Sequence, residues 1–98
     1  MDETLVTAAI DLSGRPICVW KANVPQAMLG NFSSQLADEF WRAVASSGAF
    51  ALHVLVHHGR NTHHIIEGVF KATARALRMA SEPDPRAGDA IPSTKGAL

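Results

Sequence analysis

Residues 50–56 alternate in a strand-like way between bulky apolar positions and a mixed set. Phe50, Leu52, Val54 and Val56 fall on one side, and Ala51, His53 and Leu55 on the other. A period of two predicts a strand with one buried face. Residues 4–12 read as another strand, with Leu5, Ile10 and Leu12 supplying apolar contacts. Ser13-Gly14-Arg15-Pro16 is a turn, because Gly and Pro break regular structure. Ile17 to Ala22 then predicts a strand that pairs with the first as a hairpin. Pro25 and Gly30 interrupt residues 23–32, which predict a loop with room for a short third strand.

The period changes to helical on either side of the 50–56 strand. Ser33 or Ser34 is a suitable N-cap, and the helix after it is expected to run to about Ser46 and end before Gly48. Its apolar stripe is Leu36, Phe40, Ala43 and Val44, with Asp38, Glu39 and Arg42 off that stripe. Trp41 reads as a packing residue. His57-His58-Gly59-Arg60 forms a loop into a second helix, capped by Asn61 or Thr62 and reaching about Ala80. Ile66, Val69, Phe70, Thr73, Ala76, Leu77 and Ala80 form its buried stripe, and Arg75 and Arg78 suit its C-terminal dipole. Pro83 and Pro85 forbid further helix. The chain therefore divides into a domain over residues 1–80 and an extended tail over 81–98. The order β-β-(β)-α-β-α predicts an α+β, two-layer sandwich: a small mixed sheet with two helices on one face. The other sheet face and the outer helix surface are left to find cover elsewhere.

Composition narrows the function. With 98 residues, 47% of them hydrophobic, the chain suits one small domain. Nine Lys and Arg balance nine Asp and Glu. A neutral chain lacks the basic excess that nucleic-acid binding by counterion release requires, and gives no support for an anionic membrane partner. Cys18 is the only cysteine, so no intrachain disulfide forms. No basic segment followed by a long apolar run opens the chain, and no apolar stretch approaches the roughly 20 residues of a membrane span. A soluble cytoplasmic protein is expected.

All five histidines lie between positions 53 and 64, and neutral imidazole is the commonest metal ligand among side chains. His63, Glu67 and Lys71 are spaced i, i+4, i+8 and line one helix face. His64 is displaced about 100° around the helix, toward a different centre. Nitrogen and oxygen donors followed by a cation one turn on suit a divalent transition metal beside a bound anion. The bland alternative is a polar helix start, with Lys71 merely paired to Glu67. The order His-His-x-x-Glu differs from the His-Glu-x-x-His of metalloproteases. Ile91-Pro92-Ser93-Thr94-Lys95-Gly96 puts a hydroxyl and an ammonium two residues apart, able to face one phosphate if the backbone is extended. His53 could be a core polar group or a support to a ligand.

Several segments together resemble the imidazoleglycerol-phosphate dehydratase family of histidine biosynthesis. They are Met1-Asp2-Glu3, Asp11-Leu12-Ser13-Gly14-Arg15-Pro16, Leu52-His53-Val54 and Gly59-Arg60-Asn61-Thr62-His63-His64-Ile65-Ile66-Glu67. Phe70-Lys71-Ala72, Ala74-Arg75-Ala76-Leu77-Arg78, Asp84-Pro85-Arg86 and Ile91-Pro92-Ser93-Thr94-Lys95-Gly96 continue the series. The resemblance covers the C-terminal half of that enzyme, whose members carry two similar half-domains, each with a His-His-x-x-Glu helix. It implies a ribosomal protein S5 domain 2-like half-domain, a missing N-terminal half-domain, and assembly into a closed homo-oligomeric shell of twenty-four subunits. Met1 is then expected to be an internal methionine of a longer reading frame.

The resemblance also implies two manganese ions per active site, between subunits, with His63, His64 and Glu67 as metal ligands. Glu39 stands where some relatives carry a histidine ligand. Lys71, Ser93 and Lys95 would bind the substrate phosphate, and Glu67 is the candidate catalytic base. The implied activity is that of a carbon–oxygen lyase, a hydro-lyase converting imidazoleglycerol phosphate to imidazoleacetol phosphate. The isolated chain is expected to be inactive or nearly so. The rival expectation is a self-associating, metal-binding half-domain without catalysis.

Overall fold

The computed structural model describes residues 2–83. Three strands, β1 (Leu5–Asp11), β2 (Ile17–Lys21) and β5 (Ala51–His58), form the main sheet in the order β1-β5-β2. Two short strands, β3 (Met28–Leu29) and β4 (Phe32–Ser33), pair with each other between β2 and the first helix. Helix α1 (Leu36–Gly48) and helix α2 (Thr62–Ser81) complete the elements of the described residues. The expected α+β architecture is present. The expected β1–β2 hairpin is not. β5 inserts between the two strands, antiparallel to β1 and parallel to β2. The reason is burial: β5 carries the most apolar inner face, and the central position covers it on both edges.

That inner face follows the predicted alternation. Leu52 and Val54 are fully buried and Phe50 nearly so, while His53 is exposed on the outer face. His53 is therefore not a core polar group. On β1 the inward residues are Val6, Ala8 and Ile10. Leu5, expected to face the core, is 51% exposed. β5 also extends through His57 and His58, which were expected in the loop.

Helix α1 is rotated relative to its sequence reading. Ala37, Trp41 and Ala45 are buried, whereas Leu36 and Phe40 are about half exposed. The helix offers two adjacent apolar stripes one residue apart. The core takes the one carrying Trp41, whose ring buries the larger area, flanked by two alanines that let the helix approach the sheet. Phe40 and Trp41 meet Phe70 of α2 at ring-centroid distances of 5.4 and 5.0 Å, joining the two helices. The N-cap position is Gln35 rather than a serine. Ser34 is buried and ties down the preceding loop instead, donating to the Pro25 carbonyl at 3.0 Å and accepting from the Ala27 N–H at 2.8 Å.

The end of α1 also differs by a residue. Gly48 is still helical, and the left-handed residue is Ala49, with φ 54° and ψ 47°. Phe50 N–H bonds to Ala45 O and Ala49 N–H to Ser46 O, the paired bonds of a Schellman ending. Glycine is needed at 48 for space: a Cβ there would lie 2.5 Å from the Phe50 ring.

Helix α2 starts as predicted. Asn61 accepts a hydrogen bond from the His64 N–H at 3.2 Å. Ile65, Ile66, Gly68, Val69 and Thr73 are buried, while Ala80 is exposed where the helix runs past the sheet. Trp20, late in β2, shares a cavity with Gln35, Asp38 and Glu39, whereas Ile17 and Cys18 lie against Arg42, Ala45 and Ser46. So α1 runs antiparallel to β2. Because α2 leaves β5 at His58 and returns along β1, both helices begin at the same end of the sheet.

Candidate metal and anion site

The candidate side chains sit on the first two and a half turns of α2. The Asn61 cap fixes where the helix begins, and helical spacing then aligns His63, Glu67 and Lys71. His63 Nε2 lies 3.4 Å from Glu67 Oε2, and Lys71 Nζ donates to Glu67 Oε1 at 2.9 Å. The two carboxylate oxygens of Glu67 thus face different partners. His63 and Lys71 are well exposed, at 66% and 62% of their side-chain surface.

His64 points elsewhere. Its ring lies 6.3 Å from that of His63, centroid to centroid, at 82°. Its Nδ1 is hydrogen-bonded to the Glu3 carboxylate. Thr4 Oγ1 donates to the other Glu3 oxygen, and His58 Nδ1 lies 2.9 Å from the Glu3 carbonyl. Sequence reading missed Glu3 as a neighbour of the site, since the contact spans 61 positions.

Both carboxylates are held below the ordinary range. The Thr4 hydroxyl first, and then His64, bring Glu3 down to about 2. Lys71 lowers Glu67, by its hydrogen bond and then its charge, with His63 and His64 adding to the effect. A carboxylate kept ionised this way is a ready metal donor and a weaker proton acceptor.

The donors fit part of a metal's coordination sphere. Two ligands on one ion, with bonds of about 2.1 Å at about 90–110°, are separated by about 3.0–3.4 Å. His63 Nε2 and Glu67 Oε2 stand at that spacing. With its Nδ1 engaged, His64 keeps Nε2 as its second donor. Among the described residues no three His, Cys, Asp or Glu side chains converge to hold an ion by themselves. Glu39, on the first turn of α1, is exposed beside Trp20, Val24 and Asp38 and does not join the α2 histidines. Ser93 and Lys95 lie outside the described residues. Within this chain, then, His63, Glu67 and Lys71 come together, His64 stands beside them, and Glu39 stands apart at the same end of the fold.

A model of the imidazoleglycerol-phosphate dehydratase family matches residues 1–77. The chain belongs to the imidazoleglycerol-phosphate dehydratase family. Relatives of that name from Cereibacter sphaeroides and Ruegeria pomeroyi are 56% and 55% identical over all 98 residues. The chain spans about half the length of these curated relatives, 50% in each case. Two solved dehydratase structures share the fold. The Staphylococcus aureus enzyme superposes with a TM-score of 0.79 at 42% identity, over 82% of this chain and 47% of that one. The Pyrococcus furiosus enzyme, solved with (S)-C348, gives 0.84 at 34% identity, over 100% of this chain and 53% of that one. The dehydratase family thus accounts for both the fold and the order of motifs. Among the described residues no helix is long and apolar enough to cross a membrane.

Proposed function

We propose that this chain supplies the C-terminal-half machinery of an imidazoleglycerol-phosphate dehydratase, a cytoplasmic enzyme of histidine biosynthesis. The observation that carries the reading is the α2 face, where His63, Glu67 and Lys71 stand on successive turns with His64 alongside, in a chain of this family. His63, His64 and Glu67 hold manganese, two ions per site, and the remaining donors come from the N-terminal half-domain and from neighbouring subunits of a homo-oligomer of twenty-four subunits. Glu39 is a further donor candidate, reaching an ion with its exposed carboxylate.

The substrate is imidazoleglycerol phosphate. A carbon-bound proton and the neighbouring hydroxyl leave as water, and the enol so formed gives imidazoleacetol phosphate. Bound manganese supplies Lewis acidity and a template for the imidazole. Lys71, with Ser93 and Lys95 from the tail over residues 81–98, takes the phosphate and so fixes the reacting carbons in place. Glu67 is the candidate base. Its proton affinity is held down by Lys71 in the free chain. The ligand and base roles compete for Glu67, because a carboxylate bound to a dication is a weaker proton acceptor.

The test is a dehydratase assay with manganese, on the chain alone and mixed with the N-terminal half of a relative. Activity only in the mixture supports the reading. No activity in the mixture, despite folded components, overturns it. A second reading has its own observation: Leu36 and Phe40 are about half exposed on the helix layer. That surface suits a non-catalytic, metal-binding assembly of identical half-domains. Light scattering with and without manganese separates the two, since only the second requires a metal-dependent oligomer of this chain by itself.

A further inference from the structure

The segment ahead of β1 does more than lead into the sheet. Glu3 is clamped by three contacts: Thr4 Oγ1 on one carboxylate oxygen, His64 Nδ1 on the other, and His58 Nδ1 on its main-chain carbonyl. His58 is the last residue of β5 and His64 lies in the first turn of α2, so Glu3 spans the turn between them. The close approach is possible because residue 59 is glycine. A Cβ there would lie 3.2 Å from Thr4 Oγ1 and 2.8 Å from Ile65 Cγ1.

An ionised carboxylate only accepts hydrogen bonds, so His64 Nδ1 must carry the proton that joins them. A neutral imidazole with its proton on Nδ1 has its lone pair on Nε2. His64 keeps 36% of its side-chain surface exposed, and Glu3 keeps 26%. We propose that Glu3 is a positioning residue for His64, setting its tautomer and ring orientation so that Nε2 is presented as a donor to a divalent cation. The idea rests on the metal-binding reading above. It adds a residue from outside α2, which acts through His64 and touches neither substrate nor ion. Carboxylates in this relation to a ligating histidine typically support about 10–100-fold in metal affinity.

The experiment uses the 98-residue chain, with Mn2+ as the probe. Long-range 15N–1H correlations of the imidazoles are recorded without metal, and Mn2+ affinity is measured by calorimetry with the N-terminal half of a relative present. Wild-type His64 is expected in the Nδ1–H form. Glu3→Ala is expected to move it toward Nε2–H and to weaken Mn2+ binding by about 10–100-fold. Glu3→Gln, which retains an acceptor oxygen, is expected to restore the Nδ1–H form and part of the affinity. If Glu3→Ala does not fold, Glu3→Leu, which keeps the bulk of the side chain and removes the acceptor, decides, and a wild-type tautomer and affinity in it overturn the proposal. A His64 tautomer that is the same in wild type and Glu3→Ala also overturns it, whatever the metal does. Absence of Mn2+ binding by the wild-type chain mixed with the N-terminal half of a relative strikes at the metal reading instead, and the tautomer comparison still judges the role of Glu3.

Discussion

Gly59→Ala probes the packing under the candidate site. The added methyl would stand 2.8 Å from Ile65 Cγ1 and 3.3 Å from its Cδ1. Carbon atoms in contact prefer about 3.5–4.0 Å, so the overlap is about 0.7 Å or more. Ile65 is only 1% exposed and cannot swing into solvent. Overpacking a close-packed interior costs about 1–3 kcal/mol. Residue 59 is outside the left-handed region, so replacing glycine stabilises by about 0.4–1 kcal/mol through the unfolded chain. The net expectation is a loss of about 1–2 kcal/mol, or roughly 5–15 °C in Tm for a domain this small. Thermal unfolding followed by circular dichroism at 222 nm measures it. The methyl also presses on Thr4 Oγ1, so the His64 environment should shift in the same variant. A Tm equal to or above wild type would refute the argument, because it would mean the turn between β5 and α2 has room to spare.

Four further predictions follow from particular side chains. Ala49→Gly places the residue best suited to φ 54° at the end of α1 and should stabilise by about 1 kcal/mol, seen as a higher urea midpoint. Thr73 is fully buried and its hydroxyl finds no partner among the described residues, so Thr73→Val should be neutral or stabilising by up to about 1 kcal/mol; a clear loss would point to a hydrogen bond that the described packing does not contain. Lys71→Met removes the main cause of the lowered Glu67 carboxyl, whose pKa should rise in a carbon-detected NMR titration. Glu3, at about 2 when folded against an ordinary 4.5, contributes stability that is fully present above pH 4.5 and is lost as pH falls toward 2. Glu3→Gln should therefore flatten the acid limb of the stability curve, and parallel limbs for the two proteins would contradict the pairing.

Local patterns were legible where one period or one cap governs. The alternation through Phe50, Leu52 and Val54 made β5 visible. Asn61 and the 63-67-71 spacing made α2 and its donor face visible, because helix geometry alone aligns residues four apart. The motifs also carried the family, since they recur in order along the chain. Three things required the folded molecule. The pairing order β1-β5-β2 is a competition among edges, won by the strand with the most apolar face to cover, and adjacency in sequence favoured the wrong partner. The rotation of α1 was undetermined in sequence because Leu36 and Phe40 compete with Ala37 and Trp41 for the same core. The volume over the sheet selected the indole with two small neighbours. Glu3 meets His64 only because β1 runs antiparallel to β5 and returns the start of the chain to the first turn of α2. Sequence spacing therefore determined which donors share the α2 face, while tertiary structure decided what stands behind them, because the contacts that orient a ligand come from segments far apart in the chain.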